Sequence, residues 1–360
     1  MSQVIAQQLW FTDPHQVEVR DQVLPPLKSG EVLIKTECSA VSAGTELLVY
    51  RGQIPTDMPL DANLESLQQQ PTYPLQYGYA SVGRIIQAGA NVDQHWLGKR
   101  VFAFQPHSSY FIATPANLIP VPDDISAEAA VFLANMETAV NLVQDGSPGL
   151  GEQVVVLGQG IVGLLLSGLL AQYPLAQLMA ADGIENRRQR GLTLGVDQTF
   201  NPLVPAEVRN LKQQLSSTNI SGADLIYEVS GAPKALNLAI ELSGFTSRIV
   251  IGSWYGNKSA AIALGGDAHR NRLKITTSQV SSIAPELSGR WDKARRFEVT
   301  WKLIRELKPE TLITHSFSLS DAAKLYQILD QTLDQNRDQD RDQNRDQNRQ
   351  DILQALFTYL

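Results

Sequence analysis

Apolar and polar positions follow three regimes along the chain. Up to about residue 145, runs that mix apolar and polar residues recur at strand length. Examples are Glu31-Val-Leu-Ile-Lys-Thr-Glu37, Ser81-Val-Gly-Arg-Ile-Ile86 and Gly98-Lys-Arg-Val-Phe-Ala-Phe104, separated by turns such as Gly89-Ala-Asn91. Such alternation between Gly, Pro and Asn breaks predicts a mostly β region. Pro120-Val-Pro-Asp-Asp124 reads as a rigid connector, and Ser126 as the N-cap of a helix opening at Ala127.

From Glu152 onward, short apolar runs at 154–157, 178–181, 225–229, 249–252 and 273–277 are spaced by helical segments. Strands buried on both faces read this way, which predicts a doubly wound parallel sheet. After about residue 285 the pattern is mixed again: a helix over 290–307, a strand over 314–318, and a helix over 320–329 capped by Ser320. These pieces are too few for a third domain. The expected organisation is α/β, with residues 1–145 plus 286–360 as one β-rich domain and 146–285 inserted into it.

Residues 334–351 repeat Asp, Gln, Asn and Arg with six Asp, four Arg and no apolar side chain, so a low-complexity surface loop is expected before a last strand over 352–359. Over the whole chain, 30 Lys+Arg against 37 Asp+Glu give a net charge of −7, which argues against nucleic acid as a partner. The most apolar stretch, 161–170, is too short to span a bilayer, and the start lacks a basic leader followed by an apolar core. No membrane role and a cytoplasmic location are expected. A lone cysteine, Cys38, excludes intrachain disulfides and any zinc site of several thiolates.

The strongest motif is Val154-Val-Val-Leu-Gly158-Gln-Gly160-Ile161-Val162-Gly163. Gly158 permits a tight turn, Gly160 a close backbone approach to a pyrophosphate, and Gly163 tight helix–strand packing. The helix that opens at Ile161 and Val162 supplies N–H donors. Asp182 ends the second apolar run, 19 residues beyond Gly163, where a carboxylate would hold ribose hydroxyls. It would repel a 2′-phosphate, favouring NAD; Arg187 close behind leaves NADP open.

The order of a β-rich part, an inserted nucleotide domain and a return segment, with Gly78-Tyr-Ala-Ser-Val-Gly83 and Gly98-Lys-Arg-Val, resembles the medium-chain alcohol dehydrogenase/reductase superfamily. The resemblance implies a GroES-like substrate domain with an inserted Rossmann domain, a cleft between them, a small-molecule substrate and a homodimer. Zinc members of that superfamily carry a Cys where this chain has Val41-Ser42-Ala-Gly-Thr-Glu46, and Gly-His-Glu where it has Gly78-Tyr79-Ala80. No zinc is therefore expected. Ser42-Ala-Gly-Thr-Glu-Leu-Leu-Val-Tyr-Arg51, Asn135-Met-Glu-Thr138, Gly252-Ser-Trp-Tyr-Gly256 and Glu286-Leu-Ser-Gly-Arg-Trp-Asp292 are similar to a zinc-lacking branch that includes bacteriochlorophyllide dehydrogenase-like proteins. That likeness implies interconversion of a secondary alcohol and a ketone on a ring-bearing substrate.

Without a metal, a side chain must manage the oxygen's proton or charge. His107 follows a strand in a polar stretch; Tyr79 stands at the position of the missing zinc-binding His; Glu137 is placed to relay a proton or orient His107. Ser253, Trp254 and Tyr255 follow the run at 249–252, at the strand end where ligands bind in open α/β sheets, the first two against the cofactor and Tyr255 against substrate. Glu46 at the mouth of the substrate domain, with His269 and Arg290, completes the expected substrate contacts. Two other readings stay open: enone or quinone reduction, and a non-catalytic nucleotide-sensing protein.

Overall fold

The apolar runs in the middle of the chain pair with one another as one six-stranded, all-parallel sheet. Its spatial order is Gln198–Phe200, Gln177–Ala181, Gln153–Leu157, Ala223–Glu228, Ser243–Ile251 and Lys274–Thr277. In chain order this is third, second, first, fourth, fifth, sixth, the doubly wound arrangement whose direction reverses beside the first strand. All five residues of Gln153–Leu157 are buried, so alternation is lost and the strand reads as a plain apolar run. The five expected strands are present. The sixth, Gln198–Phe200, is three residues long with two polar positions, too short for its periodicity to show.

This computed structural model describes residues 3–60, 67, 68, 70–216, 221–334 and 352–359. The expected loop at 334–351 lies outside the described residues except for Asp334, which ends the helix Ala322–Asp334. The chain divides into two units, Met1–Ala134 with Lys308–Leu360, and Asn135–Leu307. The helices Leu133–Gly146 and Lys293–Leu307 lie almost wholly within the second unit, although 1–145 and 286–360 were expected to stand with the β-rich part. Their polar groups explain it. Arg296, wholly buried, donates from Nε to Glu137 Oε1 at 2.9 Å and from Nη1 to Asn141 Oδ1 at 2.5 Å, tying the two helices together. Its other donors reach the carbonyls of Val280 and Ser282.

The first unit is built on the ten-residue strand Val32–Val41. It pairs antiparallel with Ser81–Ala88, with Tyr110–Ala113 and with Gln354–Thr358, and the last of these pairs in parallel with Ile313–Ser318. The final stretch of chain thus lies beside the centre of the sheet. Leu9, Phe11, Leu48, Leu75, Tyr326 and Phe357 belong to the core cluster on one side. Ser126 caps its helix as expected, accepting from the Ala129 N–H at 3.1 Å. Ser320 does not: a 3-10 turn over Leu319–Asp321 precedes the helix Ala322–Asp334, and Ser320 lies inside that turn.

Glu137→Ala leaves the buried Arg296 guanidinium without its hydrogen-bonded carboxylate, so urea unfolding should show a loss of about 3 kcal/mol. A loss under about 1 kcal/mol would mean that Asn141 and the two carbonyls suffice.

Candidate active site

In the second unit the glycine turn has a geometry that requires glycine at two of its three glycine positions. Gly158 sits at φ +105°, and a Cβ there would lie 2.7 Å from the Val229 carbonyl oxygen. A Cβ on Gly163 would collide with the Gly158 carbonyl oxygen, so the helix Ile161–Leu170 approaches the turn as only glycine allows. At Gly160, the helix N-cap, a Cβ would meet nothing within 4 Å. The first bond of the helix runs from Leu164 N–H to the Gly160 carbonyl at 2.9 Å. The N–H groups of Ile161, Val162 and Gly163 therefore point out of its N-terminus.

Asp182 lies one residue past Gln177–Ala181, and two backbone N–H groups fix its carboxylate: Gln159, in the glycine turn, at 2.8 Å and Ile184 at 2.9 Å. Arg188 turns back to the Asp182 carbonyl at 2.8 Å, while Arg187 is half-buried on the same helix. Among the strand ends, the Ser253 hydroxyl accepts from Gly231 N–H at 2.8 Å, and Trp254 is 37% exposed. Tyr255, expected to meet substrate, instead donates to Glu228 Oε2 at 2.5 Å. Glu228 is wholly buried at the end of its strand and also accepts from Ser230 N–H at 2.8 Å. Burial, then the Glu228 charge, pushes the Tyr255 hydroxyl far up, so it stays a donor.

In the first unit five segments converge on His107. The ring is wholly buried rather than turned toward a cleft, because both its nitrogens have protein partners: Nδ1 is 2.7 Å from Ser39 Oγ and Nε2 is 3.1 Å from Glu46 Oε2. The Ser39 hydroxyl is also 2.7 Å from the Tyr359 hydroxyl. Glu46, expected at the mouth of the domain as a substrate contact, is equally buried; it accepts from the Tyr326 hydroxyl and from Ser42 N–H at 2.7 Å. Being wholly buried, with donors on both carboxylate oxygens, it shows no exposed face to a ligand. Tyr79, partly buried, donates to Thr45 Oγ1 at 3.4 Å, and the nearby Ser42 hydroxyl is buried without a hydrogen-bond partner.

Other expected roles are not carried by the contacts seen. Glu137 neither relays to nor orients His107, whose nitrogens are taken; it pairs with Arg296 and, at 2.6 Å, with Lys293. His269 and Arg290 are both exposed, and no hydrogen bond or ion pair joins them. Sequence reasoning missed Ser39, Tyr326, Tyr359 and Glu228. Only their positions after folding mark them, since each stands alone in an apolar run or at its end.

The superfamily's zinc finds no matching donor set. Ala80 is buried and apolar, Glu46 and His107 are saturated by each other and their neighbours, and Cys38 lies on the central strand with its thiol pushed up to about 12, by burial first and then by the Glu128 and Glu37 charges. Among the described residues, no three of His, Cys, Asp and Glu come together as metal ligands. No helix among them is long and apolar enough to cross a membrane.

No family model matches the chain. D-guloside 3-dehydrogenase of Escherichia coli K12 is 27% identical over 333 residues, covering 88% of this chain and 93% of that protein. Among solved structures, a short chain alcohol dehydrogenase (RspB) from Escherichia coli CFT073, complexed with NADH, aligns with a TM-score of 0.75 at 20% identity and covers 99% of each chain. A zinc dependent alcohol dehydrogenase from Streptococcus pneumonia aligns at 0.74 and 19% identity, covering 98% of each. Along nearly its whole length the chain has the fold of these dehydrogenases, a GroES-like unit carrying an inserted Rossmann unit.

Proposed function

We propose that the chain is an NAD(P)-dependent oxidoreductase that interconverts a secondary alcohol and a ketone on a ring-bearing small molecule, prefers NAD, and uses no catalytic zinc. The observation that carries this reading is the glycine turn, with Asp182 locked against it by the Gln159 N–H. Gly158, Gly160 and Gly163 would admit the pyrophosphate, the N–H groups of Ile161 and Val162 would face it, and Asp182 would take the ribose hydroxyls. Bound there, the nicotinamide supplies or accepts the hydride. The solved relative with NADH and the relative named for dehydrogenation at position 3 of a D-guloside, a sugar ring, both agree with this chemistry.

The substrate oxygen then falls to hydroxyl groups. In the reducing direction Tyr79 would give its phenolic proton to the carbonyl oxygen and recover one from water; in the oxidising direction the proton would move the other way. Thr45, 3.4 Å from the Tyr79 oxygen, would hold the phenol in place, and the unpartnered Ser42 hydroxyl is a further polar group that a bound oxygen would satisfy.

Tyr79→Phe should lower kcat for alcohol oxidation by about 100-fold or more while leaving NADH affinity within twofold. Unchanged turnover would remove Tyr79 from the chemistry, and one zinc per purified chain would refute the metal-free reading. Fluorescence titration should show NADH binding more tightly than NADPH, and Asp182→Ala should weaken NADH by about tenfold, the worth of hydrogen bonds to a charged group. Tight NADPH with weak NADH would overturn the part given to Asp182. The raised Cys38 thiol remains neutral at pH 8. A disulfide reagent should label it far more slowly in the native protein than in urea, where its ordinary acidity returns; rapid native labelling would place Cys38 in an open, activated site.

A further inference from the structure

We propose that Glu46 is a positioning residue that holds the proton of His107 on Nε2, and so sets one direction for a buried chain of hydrogen bonds running from Tyr359 to Glu46. The count of donors and acceptors leads there. Glu46 receives Ser42 N–H on Oε1 and the Tyr326 hydroxyl on Oε2, so it serves as an acceptor throughout. His107 Nε2 faces the same Oε2 at 3.1 Å with both residues wholly buried. A bare ring nitrogen there would set a lone pair against a carboxylate with no water to separate them, which a dry site penalises heavily.

With the proton on Nε2, the rest follows in order. Nδ1 accepts, so Ser39 Oγ donates its one proton to it at 2.7 Å; the Ser39 oxygen then accepts from the Tyr359 hydroxyl at 2.7 Å. Every hydroxyl proton has one destination. Burial and the Glu46 charge push the Tyr326 hydroxyl well up, and burial does the same for Tyr359, so both keep the protons this order needs.

The ring is also fixed in place. Phe357 meets it edge-on with centroids 5.0 Å apart. Gly78, at φ +122°, packs so closely that a Cβ would lie 3.0 Å from both Cδ2 and Nε2. Gly78 precedes Tyr79 and Glu46 follows Thr45, so the imidazole braces the two backbones that carry the hydroxyl pair. The catalytic consequence rests on the role proposed above for Tyr79; the proton order does not.

The test uses the full chain labelled with 15N-histidine and a long-range proton–nitrogen NMR spectrum at pH 7.5. His107 is identified among the five histidines by the signal lost in His107→Asn. The expected spectrum shows His107 protonated on Nε2 only. Tyr359→Phe should keep that tautomer, shift the Nδ1 resonance and lower kcat about threefold. Glu46→Gln, whose amide can donate to Nε2, should move the proton to Nδ1 and lower kcat at least tenfold, with KM and NADH affinity within twofold. Should Glu46→Gln fail to fold, the wild-type and Tyr359→Phe spectra still decide the order. A wild-type His107 protonated on Nδ1, alone or together with Nε2, overturns the proposal, and wild-type kcat in a folded Glu46→Gln removes the positioning role. If the wild type turns over no alcohol or ketone, the functional reading fails while the spectrum alone settles the proton order.

Discussion

A carboxylate taken wholly out of water survives only when donors replace its hydration shell, because the charge otherwise costs several kcal/mol. Three such groups organise this protein. Glu46 gathers Ser42, Tyr326 and His107; Glu137 gathers Arg296 and Lys293; Glu228 gathers Ser230 and Tyr255. Each joins segments distant in the chain and fixes them more narrowly than apolar packing does, since hydrogen bonds have preferred directions. The Glu46 cluster draws together two helices, the central strand, a loop and the last strand of the first unit. The Glu137 cluster binds the first and last helices of the second.

The nucleotide turn rests on a different constraint, the absence of side-chain atoms. Gly158 and Gly163 are required by contacts that any Cβ would break, whereas Gly160 borders open space at a helix N-terminus. Asp182 then couples the second strand to that turn through the Gln159 N–H, so turn and acid hold each other. Trp254, more than a third exposed, follows the strand Ser243–Ile251 at the same edge of the sheet.

This chain shares its fold with a zinc dependent alcohol dehydrogenase. In its first unit Tyr79 leans on Thr45. His107 and Cys38, the side chains best suited by type to bind a metal, are spent within the first unit's interior: one is bonded at both nitrogens, the other is a neutral thiol on the central strand.

Five of the six strands of the nucleotide-binding sheet, its glycine turn and Asp182 were legible in the sequence, because a strand buried on both faces and a turn without Cβ atoms leave local marks. The three-residue strand Gln198–Phe200 left none, and the division of the helices Leu133–Gly146 and Lys293–Leu307 between the units depended on a buried ion pair 159 residues apart in sequence. Polarity alone made His107, Glu46 and Glu137 candidates, without showing whether each faced a ligand or the interior. That was decided by tertiary structure, through partners such as Ser39, Tyr326 and Arg296. A hydrogen bond between residues 280 or 320 positions apart obeys no period, so the sequence determined which elements form and where a nucleotide could lie, while only the folded chain decided which polar groups stay free to act.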